Sequence, residues 1–184
     1  ISATGGTGVG GDIAVTGKDV TLRAGNTILD ASGGAGGGDV NIGGAFQGGK
    51  GGATTPHSEL RTADTTIVGR EVGIDVSSLV SGNAGAAVVW ADLDTVFHGD
   101  VLAQGRGQTG NGGLVEISGK RNLTYRGNID ATSVNGSNGS VLFDPGDLTI
   151  GRTTGDIRTT DINNLLQAGT NVVVATDNSD GASG

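Results

Sequence analysis

The chain has 184 residues, 38 of them glycine and none cysteine, with a formal net charge of −8 and a pI near 4.5. That acidity excludes the basic stripe that nucleic-acid binding requires and electrostatic docking to anionic lipid, and no apolar run approaches the ~18 residues of a membrane span. Two prolines and glycines without a triplet rule exclude collagen, and the lack of cysteine removes disulfides and thiolate metal sites.

Apolar runs rich in Val, Ile and Thr, with only 3% aromatics, point to strands rather than to a thick helical core. A glycine that ends a GG, AG or NG pair precedes one alternating run per unit, at Gly11, Gly38, Gly85, Gly113 and Gly139. The spacings are 27, 47, 28 and 26 residues, so the second unit carries about 20 extra. Two and four residues past the anchors stand Ile13/Val15, Val40/Ile42, Ala87/Val89, Val115/Ile117 and Val141/Phe143, a strictly apolar face. Between them lie Ala14, Asn41, Val88, Glu116 and Leu142, a mixed set. A second run follows as DVTLRAG, DTVFHG, NLTYRG and DLTIG, and a third as TILDAS, VGIDVSS, DVLAQG and NIDATS.

Three short strands and glycine-bearing turns make one coil, and a coil buries its apolar face only by stacking on the next. The expected fold is therefore all-β: a right-handed parallel β-helix, one solenoid segment over residues 1–184, with rungs ~4.8 Å apart. With no secretory leader and no initiator methionine, the chain reads as a segment of something larger. A polar insertion at 48–64 predicts a surface loop, and 153–184 a helix-containing extension. Within that extension a short lateral helix is expected near 160–168, with Thr160 or Asp161 as N-cap, Leu165 and Leu166 inside and Gly169 as the stop. The strand NVVVAT should follow.

Chemistry is harder to find. His57 and His98 lie in different coils with no nucleophile motif, and GTGVGG (7–12) has no helix behind it to make a phosphate loop. The nine-residue calcium-roll repeat is absent; no cofactor, metal site or catalytic residue is expected. Asp30, Asp75 and Asp130 share one phase of the third strand, and Asp30 and Asp75 fall on neighbouring rungs. Like charges directly opposite repel, so either a cation bridges them or they splay into solvent. Phe97 and Tyr125, 28 residues apart, should stack inside. Trp90 falls in the outward phase, where it either offers a ring to a sugar or is covered by the 48–64 loop. Trp90, His57, Asp30 and Asp75 are thus the candidate ligand-binding residues.

The blocks IGGAFQG, VVWADLDTVFHGDVLAQG, GNGGLVEISGKRNLTYRGNIDAT and GSVLFDPGDLTIG occur in this order. Over about residues 10–175 they resemble the repeat blocks of filamentous-haemagglutinin-type exoproteins, the secreted partners of two-partner secretion systems in Gram-negative bacteria. The resemblance implies a β-helix shaft, export through an outer-membrane transporter addressed by a region outside this chain, and a secreted or cell-surface location. It also implies a role in adhesion, aggregation or biofilm, with a glycan or a host or bacterial surface as partner, and no active site. The lack of cysteine suits a chain that crosses the periplasm unfolded. Two alternatives stand beside an adhesive module: a carbohydrate-active β-helix enzyme using Asp30 and Asp75, and a passive shaft that presents a distal effector.

Overall fold

The computed structural model describes residues 1–23, 27–50 and 52–176. Ala24 and Gly25 of the first DVTLRAG run, Gly51 of the loop and the end of the 153–184 extension lie outside the described residues. The fold is mostly β, with parallel sheets and one short helix.

The first sheet has six strands in the order β1 (Ile13–Val15), β4 (Val40–Ile42), β7 (Ala86–Val89), β10 (Leu114–Ile117), β13 (Ser140–Phe143) and β16 (Asn171–Val174). The second pairs β2 (Asp19–Leu22), β5 (Thr65–Val68), β8 (Asp94–Phe97) and β11 (Asn122–Tyr125). The third pairs β3 (Thr27–Asp30), β6 (Val72–Asp75), β9 (Asp100–Leu102) and β12 (Asn128–Asp130). Every pairing is parallel and joins a strand to its equivalent in the next repeat, so Ile13, Val40, Ala87, Val115, Val141 and Val172 form one ladder. The repeat phase read from the glycine anchors is therefore the physical register.

The anchors themselves explain why glycine recurs. A Cβ on Gly38 would lie 2.2 Å from the Gly11 carbonyl oxygen, and one on Gly85 would lie 1.9 Å from that of Gly38. The same clash repeats from Gly113 to Gly85 and from Gly139 to Gly113, at 2.2 and 2.0 Å. Successive corners pack backbone on backbone, and no side chain fits between them. Each anchor N–H also bonds across its corner, from Gly38 to the Ala31 carbonyl and from Gly113 to that of Ala103, both at 2.8 Å.

Inside, the apolar positions of all three sheets form one core. Phe97 and Tyr125 stack with ring centroids 6.0 Å apart, and Phe143 meets Tyr125 edge-on at 4.9 Å, extending the expected pair to a triplet. The buried Tyr125 hydroxyl has no hydrogen-bond partner among the described residues.

Two expectations change. DLTIG does not continue the second sheet. Only Ile150–Gly151 is extended (β14), and it pairs with β15 (Ile157–Arg158) in a separate two-stranded sheet. It is the segment ending at β15 that borders β11, through a 2.9 Å bond from the Tyr125 N–H to the Asp156 carbonyl. Conversely, β5 is a second-sheet strand hidden in the sequence behind the insertion.

The helix α1 (Thr159–Ala168) starts on Arg158, not on Thr160 or Asp161. Asp161 sits one turn in; its carboxylate accepts the Arg158 N–H at 3.2 Å and both guanidinium contacts at 2.8–2.9 Å. Gly169 ends the helix with φ +99°, and Leu165 is buried as expected. Leu166 instead is 54% exposed, because neighbouring helical positions point about 100° apart and only one can face the sheet.

Removing ring stacking should be costly: Phe97→Ala is expected to lose about 3–5 kcal/mol in urea unfolding. Tyr125→Phe should instead gain about 1 kcal/mol, since it deletes a buried hydroxyl that makes no bond. A loss on Tyr125→Phe would show that the hydroxyl has a partner.

Candidate functional site

The most distinctive surface is the outer face of the first sheet. By strand alternation, Asn41, Val88, Glu116 and Leu142 point away from the core, yet all four are buried. The cause is the insertion, which runs from Ile42 to Thr65 and is longer than the expected 48–64. It leaves β4, folds back over the sheet, and closes its neck with a 2.7 Å bond from the Ala63 N–H to the Gly43 carbonyl.

Trp90 anchors the packing beneath this loop. It is 3% exposed, so it is covered and offers no ring to solvent. Loop backbone lies directly on the indole: a Cβ on Gly44 would come within 2.9 Å of the ring, and one on Gly48 within 2.7 Å. Gly48 also has φ +62°, so both conformation and contact demand glycine there. The indole N–H reaches Asp92 at 3.4 Å, and the Thr62 hydroxyl donates to the same carboxyl at 2.8 Å.

Next to Trp90, Gln47 holds two carboxyls from two different coils. Its backbone N–H donates to Glu116 Oε2 at 2.8 Å, and its side-chain amide donates to Asp144 Oδ2 at 3.3 Å. Gln47 has φ +49°, a conformation unusual for a residue with a side chain. Burial pushes the Glu116 carboxyl up to about 7, and the charge of Asp144 adds to the rise. The Gln47 N–H, the Ser118 hydroxyl and Lys50 oppose it.

At the other end of the loop, His57 points its Nε2 at two carboxylates stacked in register, 3.8 Å from Asp12 and 3.6 Å from Asp39. The three ligand atoms lie within 4.8 Å of one another, so this trio could hold a divalent cation as well as a plain ionic contact. Asp39 is oriented by the Ala86 N–H at 3.0 Å. Between the two ends lies a cavity of about 280 Å³, lined by Phe46, Pro56, His57, Asn41, Val88 and Leu114 among others.

Asp30 and Asp75 are rung partners as expected, with Leu102 next in the ladder and Asp130 beyond it. Their carboxylates help to build the corner. Asp30 Oδ1 accepts from the Ser32 N–H at 3.0 Å, Asp75 Oδ1 from the Ser77 N–H at 2.9 Å, and Asp130 Oδ1 from the Thr132 N–H at 3.0 Å. The D-x-S/T spacing is thus an Asx turn repeated on three coils. Arg106 lies 3.9 Å from Asp75 and offsets part of its charge. His98 is apart from all of these, its basicity lowered by burial and then by Arg70, Arg126 and Arg158.

The structure therefore places Trp90 beneath the loop that carries His57 and leaves Asp30 and Asp75 out of it. Glu116 and Asp144 went unremarked as a site in the sequence. Their signal was a glutamate inside the otherwise apolar strand LVEI, two repeats after an insertion long enough to reach it.

Asp75→Asn should be nearly neutral, because an asparagine oxygen also forms the turn, whereas Asp75→Ala should cost about 1 kcal/mol in thermal unfolding. Equal losses would argue for a role of the charge. Gly48→Ala should lift the loop off the indole while the sheets stay intact, read as a red shift of Trp90 emission with unchanged far-UV circular dichroism.

No protein-family model matches the chain, and none of the curated proteins compared with it is similar.

Proposed function

We propose that this chain is a structural and adhesive module of a secreted bacterial adhesin, a segment of right-handed parallel β-helix whose coils run through the three sheets in turn. One observation carries the reading: the repeat register continues across a 22-residue insertion, with β4 pairing to β7 as if nothing lay between them. A scaffold of this kind can display a loop on one face without altering its core. The resemblance to filamentous-haemagglutinin-type exoproteins supports export through an outer-membrane transporter to the surface of a Gram-negative bacterium. The adhesive face is the loop and the sheet beneath it, with a glycan or cell surface as the partner.

A second reading has its own support. Because Trp90 is covered, the closed face offers little aromatic surface, which favours a passive shaft presenting another part of the exoprotein.

The two separate in one experiment. Binding to bacterial and host glycan arrays is measured for the chain and for a variant in which residues 44–62 are replaced by two glycines. The adhesive reading expects an intact fold and lost binding in the variant. Binding by both proteins would move adhesion off the loop, and binding by neither would leave the shaft.

A further inference from the structure

We propose that Glu116 and Asp144 share a proton that latches the 43–64 loop onto the sheet: the loop is held shut while the pair keeps that proton and is released when both carboxyls ionise. The inference does not depend on the adhesin reading.

The geometry leads here through two orphaned atoms. Glu116 is 0% exposed and Asp144 5%, and each has one buried oxygen, Oε1 and Oδ1, without any hydrogen-bond partner. The other oxygen of each is taken by the same loop residue, Gln47. Two ionised carboxylates confined under the loop would be like charges withdrawn from water, with two acceptor atoms unsatisfied. A single proton changes the inventory. A protonated Glu116 becomes a donor, and the orphaned Asp144 oxygen is the acceptor it lacks.

The charged and polar groups facing the pair are few. From the loop come the Gln47 N–H, its side-chain amide and Lys50, and from the sheet the Ser118 hydroxyl, whose oxygen also accepts the Asp144 N–H at 2.9 Å. Asp92 on the neighbouring coil is occupied by Trp90 and Thr62. Further along the loop, His57 faces Asp12 and Asp39 at its far end, and Asp64 at its neck lies 3.8 Å from Lys18.

The sign follows from Glu116 being the weaker acid when closed. Its carboxyl titrates at about 7 under the loop against a usual 4.5 in the open state. Protonation therefore favours closure; the stabilisation is complete below the open-state value and is lost as pH rises through 7. Between pH 4 and pH 8 the closed-to-open ratio should fall by roughly 200-fold, as the proton dissociates to bulk water.

Trp90, the single tryptophan, reports on the loop directly. Iodide quenching of Trp90 and amide exchange of residues 43–50, corrected for intrinsic exchange chemistry, would be followed from pH 5 to 8.5. The intact chain should open progressively, by roughly 70-fold across this range. Glu116→Gln should stay closed throughout, since its amide is a permanent donor to Asp144, whereas His57→Gln should keep the pH dependence. If Glu116→Gln fails to fold by circular dichroism, Asp144→Asn replaces it and should weaken the dependence. Opening that ignores pH in the intact chain would overturn the latch, as would full dependence in either carboxyl variant or its loss in His57→Gln.

Discussion

The structure depends on the close approach of backbone to backbone at one turn that recurs between its parallel strands. There each anchor glycine lies against the carbonyl of the anchor before it, at distances that leave no room for a Cβ. This contact sets the rung spacing, and the rung spacing sets the ladder hydrogen bonds of all three main sheets. Once those are in register, apolar residues two apart in each strand face the interior together. Phe97 and Tyr125 then stack within the second sheet, and Phe143 meets Tyr125 from the first.

A stack of this kind is tolerant in one direction and strict in another. Residues may be added between strands at little cost, since loop closure grows only slowly with length. Residues may not be added within a strand, because a slip of one position turns the core face outward. The 43–64 insertion uses the first freedom: its neck closes on itself, and β4 and β7 pair as direct neighbours. Having left the sheet, the loop covers the nearest apolar surface, the ring of Trp90 and the outward side of β7. That cover removes water from Glu116 and Asp144, and the raised pKa of Glu116 is a consequence of it.

Much of this was legible in residue order. The glycine anchors, the alternating Val/Ile pairs, the Asp30–Asp75 adjacency, the stacking of Phe97 on Tyr125 and the lateral helix ending at Gly169 all follow from short-range patterns. Each needs only a period and a turn. The failures share a different cause. DLTIG looks like a second-run strand, but it is drawn into a local pairing with Ile157–Arg158, a choice made between two segments of similar propensity. β5 stood behind an insertion that broke the period. Asp161 matched an N-cap in type but lies one turn inside the helix, where its reach back to Arg158 depends on the guanidinium.

The sequence by itself determined the short strands, their period and their parallel register, because these arise from steric exclusion at glycine and from two-residue alternation, both local in the chain. Only the tertiary structure decided what lies on the outside. Whether Trp90 is exposed or covered, and whether a glutamate in a strand faces water or a loop, depends on where residues 43–64 settle. Gln47 meets Asp144 across 97 residues of chain. No pattern of neighbours encodes such a contact; it exists because β4, β7, β10 and β13 lie side by side in one sheet and the loop is long enough to cross them.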